Sequence, residues 1–141
     1  MNNKIKEALE SKKECPPELI DNLLKYGVLT GSYVFGGFVK GKSDIDIILK
    51  PEHYNYDEYD PYHIFLSGSV DDEHECAYVK TKDGVFNVLL IESDKRRRCW
   101  VKATKIMLKI KKIPSMAKAF KLKQNRITQM GALRAIIGEY E

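Results

Sequence analysis

The segment "LTGSYVFGGFVKGKSDIDIILK", residues 29 to 50, decides the fold class of this chain. Two glycine-containing turns precede the run "SDIDIIL", whose β-branched residues predict a strand. Side chains of a strand alternate between its two faces, so Asp44 and Asp46 share one face while Ile45 and Ile47 point into the core. The α-carbons of the two aspartates are expected about 6.6 to 7 Å apart.

Two carboxylates on one rigid strand predict a site for a divalent cation. Oxygen ligands favour Mg²⁺ or Mn²⁺ over zinc, and Mg²⁺ usually leaves positions for water and substrate phosphates. Upstream, Gly31, Ser32 and the pair Gly36-Gly37 offer close backbone approach and a hydroxyl, which suit a phosphate. The alternative is that the aspartates cap a turn and occupy an exposed strand face.

The flanking patterns predict a single α/β domain with a small mixed sheet and flanking helices over residues 1–141. Apolar spacing indicates two short N-terminal helices, and the Asp-Gly turn within residues 74–93 predicts a β-hairpin. The acidic segment 51–63 lacks periodicity and is predicted to be a loop. Helices are expected from Ser93 to residue 113 and again after Pro114. The predicted core is 28–92, and basic C-terminal helices follow at 93–138.

Composition agrees with one ordinary domain: 141 residues, of which 43% are hydrophobic and 31% charged. No apolar run approaches the length of a membrane span and the N-terminus has no apolar signal core, so we expect a cytoplasmic protein without membrane attachment. Cys15, Cys76 and Cys99 are widely spaced and form no CxxC pair, which predicts reduced thiols and no zinc site.

Charge divides sharply along the chain. Residues 1–92 carry 10 basic and 17 acidic side chains, whereas residues 93–141 carry 14 basic and 3 acidic ones. This asymmetry predicts a cation site in the acidic part and contacts with nucleic-acid phosphates in the basic C-terminal helices. The alternative for each lysine is that it simply solvates a helix face.

The stretch "GSYVFGGFVKGKSDIDIIL" resembles the signature of the polymerase-beta-like nucleotidyltransferase superfamily, in its small, minimal form. The shared features are an apolar residue before Gly-Ser, a further glycine, and Asp-x-Asp flanked by apolar residues on a strand. Residues 28 to 50 carry the resemblance, which is loose elsewhere.

The resemblance implies a role for each matching residue. Gly31 and Ser32 would hold phosphates of a nucleoside triphosphate, and Asp44 and Asp46 would bind Mg²⁺ or Mn²⁺. Ser43 would orient the entry to the strand. Lys123 and Arg126 are weaker candidates for nucleotide contact, since related small domains place a basic residue of the C-terminal helices near the nucleotide.

Two departures from the family pattern concern charge. Tyr33 and Phe35 stand where small bacterial members often have arginines. The third carboxylate, which serves the family as metal ligand and proton acceptor, is replaced by Asn87, whose amide can bind a cation but cannot take a proton. Glu92 is expected on the opposite strand face from Asn87, so Glu75 is the preferred substitute.

Other residues have two interpretations each. The tyrosines of segment 51–63 either stack on a nucleobase or pack on the domain, and packing is favoured. The three histidines show no metal-like spacing with Cys76.

The function predicted is metal-dependent transfer of a nucleoside monophosphate from a triphosphate to an acceptor hydroxyl. The alternatives are a catalytically weak or inactive module that binds nucleotide or nucleic acid, and an antitoxin-like protein-interaction partner.

Overall fold

The computed structural model describes residues 3–36, 38–66 and 74–115 of the chain. They form a mixed α and β fold, as predicted, within two units, Met1–Glu92 and Ser93–Glu141. The helices described are α1 (Asn3–Glu10), α2 (Pro17–Tyr26), α3 (Ser32–Phe35), a 3₁₀ turn (Pro51–His53), α4 (Tyr56–Tyr59) and α5 (Asp94–Lys111). The strands are β1 (Val28–Thr30), β2 (Ile45–Leu49), β3 (His63–Leu66), β4 (Glu75–Thr81) and β5 (Gly84–Leu90). None of the helices in these ranges is long and apolar enough to cross a bilayer.

The first unit is built on one mixed five-stranded sheet of order β1-β2-β5-β4-β3. β2 and β5 are parallel, and the other neighbouring pairs are antiparallel. The predicted hairpin is confirmed: Thr81 pairs with Gly84, and the Thr81 hydroxyl accepts a hydrogen bond from the amide of Asp83 at 3.2 Å. The turn therefore sets the register of β4 against β5.

The two faces of the sheet differ in character. One face forms a hydrophobic core together with α2 and the residues after β2; its most buried members include Leu23, Ile47, Ala77, Val79 and Val88. The other face carries the alternate side chains of β2, β5 and β4, in which polar groups stand beside buried apolar ones. The candidate site lies on this second face.

β1 ends at Thr30 because Gly31 takes a positive φ of 75°, and a single helical turn follows. One expectation in this region was wrong in part. The acidic segment, expected to be a loop, contains the 3₁₀ turn and α4. α4 begins because the Asn55 side chain accepts hydrogen bonds from the amides of Asp57 and Glu58.

The helix of the second unit begins where it was predicted. The Ser93 hydroxyl caps α5 by accepting a hydrogen bond from the amide of Arg96 at 3.2 Å. Cys99, Ala103, Met107 and Ile110 are buried and form the apolar side of the helix. Trp100 is half-buried. The helix predicted after Pro114 lies largely outside the described residues.

His63 is a buried titratable group on the core side of the first unit. Its Nδ1 is hydrogen-bonded to the Tyr54 hydroxyl, and the rings of Tyr54 and Tyr59 stack at a centroid distance of 4.4 Å. Burial raises the pKa of Tyr54, so that hydroxyl keeps its proton and can donate a hydrogen bond to the imidazole nitrogen. Burial lowers the pKa of His63 below its usual 6.5. The folded chain therefore holds His63 neutral.

We expect the free energy of unfolding to fall as the pH drops below 6.5, the ordinary pKa of histidine. In that range the unfolded chain binds a proton at His63, whereas the folded chain binds it only at a lower pH. The contribution of neutral His63 to stability is therefore fully present above the unfolded pKa and is lost as the pH falls below it. Urea titrations between pH 5 and 8 measure this. His63→Gln should reduce the pH dependence, and an equal dependence in both proteins would show that other groups cause it.

Candidate functional site

The Gly-Ser motif forms a tight turn at the end of β1. Gly31 has φ 75° and ψ −158°, a backbone conformation that is almost restricted to glycine. The amides of Val34 and Phe35 donate to the Gly31 carbonyl oxygen at 3.1 and 2.9 Å, which closes the turn. This geometry brings the chain from the sheet edge into the single helical turn of α3.

The Asp46 carboxylate lies against this turn. In the β1–β2 register Asp46 is the partner of Thr30, the residue before Gly31. A β-carbon built on Gly31 would be only 2.1 Å from Oδ2 of Asp46. The absence of a side chain at Gly31 is therefore what makes room for the carboxylate, and the two sequence motifs meet in space.

Asp44 and Asp46 both lie close to Tyr78 of β4. Burial, an electrostatic contribution from Cys76 and the charges of both aspartates together raise the pKa of Tyr78 to about 12. The two carboxylates therefore act on the same hydroxyl. Tyr78 was not singled out from the sequence. The Asp-Gly turn offered a signal for it, because pairing Thr81 with Gly84 also pairs Tyr78 with Asn87.

Asn87 lies between these groups on β5. It neighbours Asp46 in the parallel β2–β5 register and Tyr78 in the antiparallel β4–β5 register. Its Oδ1 is buried and accepts no hydrogen bond within the part of the chain that the structure describes. A buried amide oxygen without a donor is costly unless a ligand supplies one, and here the residue that carries it pairs with Asp46.

The suggestion that Glu75 replaces the third carboxylate is wrong. Glu75 shares a strand face with Ala77 and Val79, whereas Tyr78 and Asn87 occupy the other face. The Glu75 carboxylate instead accepts a hydrogen bond from the Tyr56 hydroxyl at 3.5 Å. Glu92 also acts on Tyr56, whose pKa is raised by burial and then by these two acids.

Within the described ranges, no group of three or more acidic, histidine or cysteine side chains is arranged to hold a metal ion. The oxygen donors of the candidate site are thus two carboxylates and one amide. This set keeps the hard-oxygen character that suits Mg²⁺ or Mn²⁺ but carries one negative charge fewer than a three-acid site.

Ser43 holds the loop that leads into β2. Its hydroxyl accepts a hydrogen bond from the Val39 amide at 3.0 Å, and its own amide donates to the Val39 carbonyl at 2.8 Å. Both contacts fix the loop immediately before Asp44. Lys123 and Arg126, the basic candidates of the last predicted helix, lie outside the described residues.

The aromatic residues that replace arginines after Gly-Ser have separate environments. Phe35 is 8% exposed and belongs to the core, while Tyr33 is 51% exposed and meets the ring of Phe38 edge to face at 5.2 Å. Among the tyrosines of segment 51–63, Tyr54 and Tyr59 are buried. Packing therefore accounts for those two residues, in line with the favoured interpretation.

Comparison of the chain with protein-family models, curated proteins and solved structures gave no match.

Proposed function

We propose that this chain binds a nucleoside triphosphate together with Mg²⁺ or Mn²⁺ and transfers the nucleoside monophosphate to an acceptor hydroxyl. The observation that carries the proposal is the contact between the Asp46 carboxylate and the Gly31 turn. It joins the two halves of the motif by which the sequence resembles polymerase-beta-like nucleotidyltransferases. The nucleotidyltransferase-like fold is part of the same proposal.

The donor set fits a hard divalent cation. Asp44 and Asp46 would hold it, and the buried Oδ1 of Asn87 is a suitable additional ligand because it lacks a donor among the described residues. When bound, the cation would neutralise phosphate charge and orient the triphosphate.

The chain's own residues would act mainly by positioning. Gly31 allows the backbone to approach a phosphate closely, and the Ser32 hydroxyl can donate a hydrogen bond to a phosphate oxygen. Asn87 can orient the acceptor hydroxyl with its amide but cannot remove its proton. Rate enhancement would therefore come from orientation and electrostatics more than from a strong base.

A second candidate function is nucleotide binding without turnover. It is favoured by Asn87, which stands beside Asp46 where the resemblance implies a third acid. The placement of Glu75 on the other strand face removes the preferred substitute for that acid. In this case the site would bind a nucleotide without transferring it, and the chain would act through the change that binding causes in the protein.

Calorimetric titration with ATP, GTP, CTP and UTP, each with and without Mg²⁺, tests both candidates. We expect Mg²⁺-dependent binding of at least one triphosphate. Its affinity should fall by about 100-fold or more in Asp44→Asn/Asp46→Asn, because two charge-bearing ligands are removed. Turnover is followed with triphosphate labelled at the α-phosphorus and by pyrophosphate release.

The matched control is Glu10→Gln/Asp21→Asn, which removes two exposed acidic charges from α1 and α2. It should bind like the original chain. Binding with transfer supports the enzyme, and binding without transfer to any acceptor supports the binding module. Failure of all four nucleotides to bind would refute both.

A further inference from the structure

Helix α5 carries a continuous line of basic side chains on its solvent side. We call it the basic stripe; its members are Lys95, Arg98, Lys102, Lys105 and Lys109. All of them are exposed. They recur at intervals of three and four residues, so at 3.6 residues per turn they fall within a sector of about 80°.

A different side of the helix is apolar and buried. Cys99, Ala103, Met107 and Ile110 are each less than 9% exposed. This burial fixes the rotation of α5 about its axis and keeps the basic stripe turned toward solvent. The stripe is thus a defined surface of a folded element.

The sequence of α5 carries a large excess of positive charge. It contains eight basic residues and a single acidic residue, Asp94, which forms an ion pair with Arg97. A helix that is merely solvated usually mixes both signs of charge so that pairs three or four residues apart stabilise it. Eight basic residues against one acid leave a net positive charge on α5, and an anionic partner would complement it.

The dimensions of the stripe match a polyphosphate chain. At 1.5 Å rise per residue, the distance from Lys95 to Lys109 is about 21 Å along the axis. One strand of a nucleic-acid duplex presents about six phosphates over that length, at roughly 3.4 Å each. Five basic side chains therefore face a comparable number of phosphate groups.

We propose that the basic stripe binds the phosphate backbone of a nucleic acid. An anionic membrane surface fits less well, because helices that bind membranes insert their apolar face, and in α5 that face is buried within the folded chain. The stripe contacts phosphates without reading bases, so affinity should depend strongly on salt and weakly on sequence. This inference concerns residues other than those of the nucleotide site and does not depend on the function proposed for that site.

The test is fluorescence anisotropy with labelled 20-nucleotide RNA, single-stranded DNA and duplex DNA between 50 and 300 mM salt. If five phosphates are neutralised, the logarithm of affinity should fall with the logarithm of salt with a slope of about −3.5 for single strands and about −4.5 for duplex. Lys102→Gln/Lys105→Gln removes two contacts, so we expect about 25-fold weaker binding of single strands in 0.1 M salt and a slope less steep by about 1.4.

Two further variants distinguish the effect of the basic stripe on affinity from the effect of net charge. Lys6→Gln/Lys13→Gln makes the same change in charge at exposed positions of the first unit and should leave affinity within about twofold, because no phosphate contact is lost. Lys102→Arg/Lys105→Arg keeps the charges and should restore binding. Thermal unfolding of each variant checks that the fold is retained.

The results that would contradict the proposal can be told apart from one another. Equal losses in the stripe and the control variants would overturn the proposal, since net charge alone would then explain binding. So would oligonucleotide affinity that is unaltered in the stripe variant. Vesicles of phosphatidylserine and phosphatidylcholine form the comparison arm: stripe-dependent binding to vesicles with no binding to any oligonucleotide would assign the surface to membranes instead.

Discussion

Gly31→Ala is expected to weaken Mg²⁺-dependent triphosphate binding by about 10- to 100-fold, the range found when a group that positions a metal ligand is removed. The added β-carbon would lie 2.1 Å from Oδ2 of Asp46, so the carboxylate has to move. The backbone at φ 75° and ψ −158° also disfavours any residue with a side chain, by about 1–3 kcal/mol. Calorimetric titration with nucleotide and urea unfolding measure the two effects separately.

Gly41→Ala is the matched control. Gly41 also has a positive φ, of 83°, but a β-carbon there meets nothing within 4 Å. We expect this variant to lose stability through backbone strain while it keeps nucleotide affinity. If Gly31→Ala binds nucleotide as well as Gly41→Ala does, the contact between Gly31 and Asp46 has no role in binding.

Asn87→Asp is the second change from which we expect a large effect. It places a third carboxylate beside Asp46 in the β2–β5 register, on the face occupied by Tyr78. Without divalent cation, repulsion among three acids should lower the free energy of unfolding by roughly 1–3 kcal/mol at neutral pH. Millimolar Mg²⁺ should reverse this loss, because the cation binds the folded state and offsets the repulsion.

The same variant also supplies a group able to accept a proton. If the chain is an enzyme that lacks only a base, transfer to an acceptor hydroxyl should rise by about 10²- to 10⁴-fold, the usual contribution of general-base catalysis. Asn87→Ala is the control, since it provides neither ligand nor base. Stability of Asn87→Asp that does not respond to Mg²⁺ would count against a cation site at these residues.

Features with a local cause were predictable. The Asp-Gly turn was enough to identify the hairpin, because turn chemistry and the flanking strand residues are adjacent in the chain. Ser93 was recognised as a helix cap for the same reason. The common face of Asp44 and Asp46 stays a prediction from strand alternation.

Features that depend on distant pairing were not predictable in the same way. β3 was missed because it is a four-residue edge strand whose hydrogen-bond partner, β4, lies further along the chain. The preference for Glu75 was wrong, although the register implied by the Asp-Gly turn already pairs Tyr78 with Asn87 and places Glu75 on the other face.

The sequence by itself therefore determined the α and β composition, the hairpin, the start of α5, the paired aspartates and the basic character of the C-terminal part. The tertiary structure alone decided that β1 and β5 flank β2, and hence that the Gly31 turn and Asn87 both adjoin Asp46. It also brought Tyr78 to the same face. The physical reason is that turns, caps and side-chain alternation arise from neighbouring residues, whereas strand order depends on hydrogen bonds and core packing between segments far apart in the chain.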